Sequence, residues 1–162
     1  MADSGHIGMR VELRPEAPDD DIFLRSLISE AITLELGAQH WPESLREQIV
    51  GMQLGNRRMG PQTGFPQGQS CVILADGECA GWIFYAALES DVHIVEIMVQ
   101  PSKRGCGIGA AALGHVLERA GREGRKVTLT VNVLNAGAIR LYERLGFRRV
   151  DGNPVQHRME WP

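Results

Sequence analysis

Residues Val92–Ala120 read VHIVEIMVQPSKRGCGIGAAALGHVLERA, and three kinds of physical behaviour follow one another along them. The β-branched run 92–99 favours an extended strand. Gly105, Gly107 and Gly109 then remove every Cβ where backbone must approach a ligand, and Lys103 and Arg104 place positive charge at the edge of that loop. Beyond it, Ile108, Ala112, Leu113, Val116, Leu117 and Ala120 fall on one face of a helix, with Gly124 where a C-terminal stop belongs. The unpaired N–H groups at the start of that helix, including Ala110, complete a cradle for an anion such as phosphate. A tight strand-to-helix turn would also use glycine, but it has no need of adjacent cations or of three alternating glycines.

Upstream, Met9–Arg14 alternates enough for a short edge strand, and Leu24, Leu27, Ile28 and Ala31 form a helical stripe ending near Gly37. A second helix is expected from Pro42 to Gly55, followed by an irregular Asn56–Gln69 segment that could lie as a lid over a site. Ser70–Ala75 and Glu78–Leu88 are strands joined at Asp76-Gly77, a strong hairpin signal. Downstream come a strand over Lys126–Val133, a helix capped by Asn135 and stopped at Gly146, and strands Phe147–Val150 and Val155–Trp161 around a turn at Asp151-Gly152. The order predicts an α+β (mixed α/β) layer arrangement around a mixed sheet.

At 162 residues the chain is expected to be a single domain, with residues 1–8 as a flexible leader. No stretch is long and apolar enough for a membrane span, and the first residues lack a signal-peptide pattern, so the cytoplasm is the expected location. Cys71, Cys79 and Cys106 suggest neither a disulfide framework nor a zinc site. A net charge of −3 argues against nucleic acid as a partner, yet the charge is unevenly distributed. From Lys103 onward 11 Lys and Arg stand against 5 Asp and Glu, and before it 6 stand against 15. An anionic ligand suits the second part and a cationic, amine-bearing ligand the first.

Gly105-x-Gly107-x-x-Ala110 satisfies a dinucleotide fingerprint literally, but Gln100–Arg104 separates strand from glycine and the next strand ends Val131-Asn132 without the acid that would hold a ribose. A Walker loop is excluded because no Gly-Lys-Ser/Thr follows. From about Val11 to Trp161 the chain resembles the GNAT superfamily of N-acetyltransferases. The resemblance rests on Val99-Gln100-Pro101-Ser102-Lys103-Arg104-Gly105-Cys106-Gly107-Ile108-Gly109, followed by Asn135-Ala136-x-Ala138-x-x-Leu141-Tyr142-x-x-x-Gly146-Phe147. It implies a twisted, mostly antiparallel sheet of about seven strands flanked by about four helices. It also implies acetyl-CoA as cofactor, with its pyrophosphate on Arg104–Gly109, its pantetheine arm paired to Ile97, Met98 and Val99, and Asn135 bonded to the arm.

The implied acceptor is a primary amine of a small molecule or of a protein, and a homodimer is left open. An alkylamine with a pKa near 10.4 is protonated at neutral pH, so a base or water chain must remove a proton, and the departing thiolate needs an acid. Tyr142 occupies the family's position for that acid, and a phenol of pKa about 10 suits the task. A backbone N–H of Met98 or Val99 could stabilise developing negative charge on the carbonyl oxygen. His93 and Glu96 are the candidates for the base; regular pleating would put them on opposite faces, and a bulge would realign them. Glu30, Glu35, His40, Trp41, Glu43 and Phe65 are candidates for the acceptor lining. A non-catalytic acyl-CoA-binding regulatory module with the same fold is the alternative reading, against which Tyr142 and Asn135 argue.

Overall fold

The computed structural model describes residues 8–162, with side chains described everywhere except 58–63. The expected leader, apart from Gly8, lies outside the described residues. Seven strands form a single sheet: β1 Val11–Pro15, β2 Gln69–Ala75, β3 Glu78–Ala87, β4 Asp91–Val99, β5 Lys126–Asn132, β6 Arg148–Gly152 and β7 Gln156–Trp161. Their spatial order is β1-β2-β3-β4-β5-β7-β6. Neighbours are antiparallel except β4 and β5, which run parallel because a helix connects them.

Four α-helices cover the sheet: α1 Asp21–Leu36, α2 Glu43–Gly64, α3 Ile108–Arg122 and α4 Ala136–Arg144. On one face α3 and α4 pack through Leu113, Val116, Leu117 and Tyr142 onto Ile83, Ile94, Val127, Leu129 and Met159. Leu24, Leu27, Ile28 and Ile32 of α1, with Val50 and Leu54 of α2, cover Trp82 and Phe84 on the other. Strand β3 sends alternate residues to each layer and is therefore buried continuously from Ala80 to Ala86. At Gly81 a Cβ would sit 2.3 Å from the Met98 carbonyl oxygen, so glycine is required where β4 crosses closely. Entry into α1 is fixed by Asp20, which accepts two bonds from the Arg14 guanidinium at 2.7 and 3.0 Å and one from the Ala17 N–H at 2.7 Å. The Arg14 guanidinium holds the Asp20 carboxyl below the usual carboxylate range against the effect of burial.

The architecture is the expected one, with the Asp76-Gly77 hairpin turn at positive φ (51° and 83°) and Gly37 ending α1 at φ 66°. Two expectations are corrected. Helix α2 does not stop at Gly55 but runs to Gly64, so Asn56–Gln69 is a helical extension with a short connection rather than a lid. Gly55 disfavours helix by about 1 kcal/mol relative to alanine, but packing overrides it. Leu54 is buried, and Arg57 is held by Gln53 one turn earlier at 3.0 Å and by Glu96 of β4 at 2.8 Å. The final hairpin turns at Asn153–Val155, not at Asp151-Gly152, which remain in β6. There the Asn153 side chain accepts the N–H groups of Val155 and Gln156 at 2.8 and 2.9 Å.

Candidate active site

The segment after β4 makes one tight turn over Pro101–Lys103 and then opens, with Gly105 and Gly107 at φ 79° and 82°. Those two positions need glycine for backbone conformation. Gly109 does not: it is helical, and a Cβ there would make ordinary contacts, 3.5 Å to Val99 Cγ2 and 3.7 Å to Leu141 Cδ2. A glycine that its own chain does not require fits a place where a ligand comes close. The first helical bond of α3 is Ala111 N–H to the Gly107 carbonyl at 3.0 Å, so the N–H groups of Ile108, Gly109 and Ala110 precede the ladder. Ile108 is buried and anchors this turn, while Cys106 is exposed.

The two loop cations behave differently. Lys103 donates to the Cys79 carbonyl at 3.1 Å and so ties the loop to the β2–β3 hairpin. Arg104 is exposed, with Nε 3.3 Å from the Val99 carbonyl, at the mouth of the glycine turn. Glu30, expected in the acceptor lining, instead holds the loop from α1: it accepts from Gln100 Nε2 and from the Ser102 N–H, each at 2.9 Å. Those bonds, Gln100 foremost, hold its carboxyl below the ordinary range. The loop is thus held in place from both α1 and the β2–β3 hairpin.

Strand β4 leads from this loop into a split in the sheet. Its parallel pairing with β5 runs only from Asp91–Lys126 to Ile94–Leu129, although β4 continues to Val99 and β5 to Asn132. Ile97, Met98 and Val99 pair with β3 on one side, opposite Ile83, Trp82 and Gly81. Toward β5 their edge has no strand partner. A bulge sits where the split begins: Ile94 opposes Tyr85 and Glu96 opposes Phe84, leaving Val95 extra. Val92, Ile94, Ile97 and Val99 consequently face α3 and α4, while His93, Glu96 and Met98 face α1 and α2. The bulge does realign His93 with Glu96.

The candidates occupy both sides of the split. His93 is half-buried and stacked on Phe65, ring centroids 5.4 Å apart, with Nδ1 2.8 Å from the Thr128 hydroxyl. Thr128 in turn donates to Asp91 Oδ2 at 2.7 Å. Burial pushes the imidazole below its usual range, opposed by the charge of Asp91 and reinforced by Arg158. Glu96 is engaged with Arg57 at 2.8 Å. Tyr142 is buried on the α3–α4 side, edge-to-face with Phe147 at 5.7 Å, and burial pushes its phenol up. Asn135 caps α4 by accepting the Ala138 N–H at 3.1 Å, which leaves its amide NH2 for a ligand. Trp41 and Glu43 line a separate groove of about 600 Å³ between α1 and α2 with Arg25, Arg46 and Glu47. Among the described residues, no helix is long and apolar enough to cross a membrane.

Residues 34–147 match the model of the Acetyltransferase (GNAT) family, and the chain belongs to that family. It is 43% identical over 67 residues, 41% of this chain, to an uncharacterized N-acetyltransferase of Methanocaldococcus jannaschii. It is 38% identical over 76 residues, 45% of this chain, to the streptothricin acetyltransferase of Streptomyces lavendulae. The matches span 30% and 40% of those two relatives' own lengths. The PaiA N-acetyltransferase of Thermoplasma acidophilum, solved in complex with coenzyme A, shares the fold over 94% of this chain and 99% of its own, with a TM-score of 0.69 at 19% identity.

Thr128, Asp91 and Arg57 were not singled out from the sequence. A buried threonine in an alternating strand reads as a β-former, and Arg57 fell in the stretch read as irregular. The bulge, which turns Glu96 to the face of His93 and so within reach of Arg57, is what brings Arg57 to the site.

Proposed function

We propose that the protein transfers an acetyl group from acetyl-CoA to a primary amine of a small molecule or peptide, by direct attack of the amine on the thioester, in the cytoplasm. One observation carries this reading. The unpaired β4 edge at Ile97–Val99 leads from the glycine loop into a split that has an imidazole on one face and a phenol on the other. Bound acetyl-CoA supplies an acyl group activated as a thioester and a thiolate leaving group. Arg104 and the N–H groups of Gly105–Ala110 hold its phosphates, the edge of Ile97–Val99 pairs with its arm, and the Asn135 amide donates to that arm.

His93 Nε2 takes the first proton from the incoming ammonium on the α1–α2 side, the Tyr142 hydroxyl gives one to the leaving sulfur on the α3–α4 side, and the second proton lost from nitrogen as the amide forms restores the Tyr142 phenol through solvent. Base and acid therefore act on opposite faces of the sheet and do not compete for one proton. Near the base, Glu96 and Glu160 are paired with Arg57 and Arg158, which leaves the charge of Asp91 to favour a cationic acceptor.

Thiol release from acetyl-CoA across a panel of polyamines, amino acids, aminoglycosides, peptides and streptothricin, with product mass measured, tests the reading. The panel includes streptothricin because of the relative named for it. Turnover on at least one amine is expected. Tight binding of acetyl-CoA with no turnover on any would replace the enzyme by an acyl-CoA-binding regulatory module.

A further inference from the structure

Asp91, Thr128 and His93 form a continuous hydrogen-bonded chain that no step above requires, and its polarity is determined by proton count. An ionised carboxylate can only accept, and a threonine hydroxyl has one proton. At 2.7 Å from Asp91 Oδ2, the Thr128 hydroxyl gives that proton to the carboxylate. Its oxygen must then accept from His93 Nδ1 at 2.8 Å, so the neutral imidazole carries its proton on Nδ1. The lone pair is left on Nε2. Thr128 is 2% exposed, and Phe65 stacks on the ring from the end of α2, so both ring plane and tautomer are held.

We propose that Thr128 and Asp91 are positioning residues for acetyl transfer, holding His93 in the tautomer whose Nε2 takes the proton from the acceptor ammonium. This rests on the reading of His93 as base. The step balances within these groups: the ammonium N–H bond breaks, an Nε2–H bond forms, and the Nδ1 proton stays on the ring facing Thr128. Asp91 remains a carboxylate and offsets the imidazolium charge. The proton leaves Nε2 for water once the product has gone. The other charged groups near the ring are Glu96 on its own strand, Arg57 on α2, and Glu160 and Arg158 on β7, opposite Thr128 and Thr130. None of these is hydrogen-bonded to Nδ1 in the structure.

The test has one arm without activity and one with it. In the intact protein labelled with nitrogen-15 at histidine, at a pH where the ring is neutral, His93 is expected to show a protonated Nδ1 and a bare Nε2. A proton on Nε2 overturns the chain outright. In the kinetic arm, Thr128→Val keeps the side chain's size and is expected to lower kcat about a hundredfold, the low end of what a positioned base contributes. KM for acetyl-CoA is expected to stay within about twofold, because the hydroxyl is not in the cofactor cradle. Thr128→Ser is expected to restore most of the rate. Asp91→Asn is expected to move the acidic limb of the kcat/KM profile down by about one pH unit, since a charge favouring the imidazolium is gone. A purely structural pair would leave tautomer and limb unmoved. If His93→Gln is inactive while Thr128→Val keeps the full rate and profile, the positioning role falls and the base stands. Full activity of His93→Gln overturns both.

Discussion

Replacing Tyr142 by phenylalanine removes one oxygen from a side chain that is 8% exposed and packed edge-to-face on Phe147. The ring and its contacts survive. The hydroxyl makes no hydrogen bond to a described residue, so its loss leaves no buried partner unsatisfied, and the stability change is expected to stay within about 0.5 kcal/mol. A positioned acid contributes roughly a hundredfold or more to rate, and at 1.36 kcal/mol per decade a hundredfold is about 2.7 kcal/mol. The variant is therefore expected to unfold at the temperature of the parent while kcat falls by that factor and KM for acetyl-CoA changes by less than about twofold. Steady-state thiol release at saturating amine, beside a thermal melt, separates the two effects. The pH profile adds a sign: an acid must be protonated to act, and burial raises this phenol above its ordinary value of 10.0, so the alkaline loss of rate falls above pH 10. An unchanged kcat, or a fall matched by an equivalent loss of stability, would refute the assignment.

Gly109→Ala should leave the free protein as stable or up to about 1 kcal/mol more stable, since alanine is the better helix former and no contact closer than 3.5 Å results. KM for acetyl-CoA should nevertheless rise at least about tenfold if ligand backbone and phosphate approach there; calorimetric titration with coenzyme A checks this, and unchanged affinity would remove Gly109 from the cradle. Asp20→Ala should cost about 2 kcal/mol in urea unfolding at neutral pH, because it removes the charge-assisted bonds to Arg14 and the Ala17 N–H. The folded-state pKa of Asp20 is depressed, so its contribution is fully present above its unfolded pKa of about 4 and is lost as pH falls through the lower folded value. Parent and variant should converge in stability there, and a constant gap down to strongly acid pH would contradict the ion pair.

How much of this was legible in the residues depended on whether the signal was local. The strand-to-helix turn at Gly105 and Gly107, the Asp76-Gly77 turn and the amphipathic faces of α1, α3 and α4 are set by neighbours within a few positions, and as local structure each reads correctly. Helix α2 does not, because Gly55 is a local stop signal overridden by Leu54 in the core and by Arg57 reaching a strand 39 positions away. The turn at Asp151-Gly152 fails similarly: the dipeptide is a good turn former, but Asn153 two positions later supplies a side-chain acceptor for two N–H groups and takes the turn. Glu30 is a third instance, an acid that suits an amine by composition but is consumed by the loop it holds.

The bulge at Val95 links these pieces, because one inserted residue has three consequences at one place. It turns Glu96 to the face of His93, so that Arg57 on the unexpectedly long α2 finds a carboxylate partner and docks the helix end beside the imidazole. The ladder between β4 and β5 ends beside it, which leaves the backbone of Ile97–Val99 unpaired toward β5. Ile97 and Val99 stay on the α3–α4 face, where Val99 lines Gly109 and packs in the same cluster as Tyr142. Without the extra residue, regular pleating would direct Glu96 into the apolar layer beneath α3, and burying an unpaired carboxylate there would cost several kcal/mol. The bulge is therefore required by the sequence itself, since Glu96 cannot be accommodated otherwise, and the split and its two-sided access follow from it.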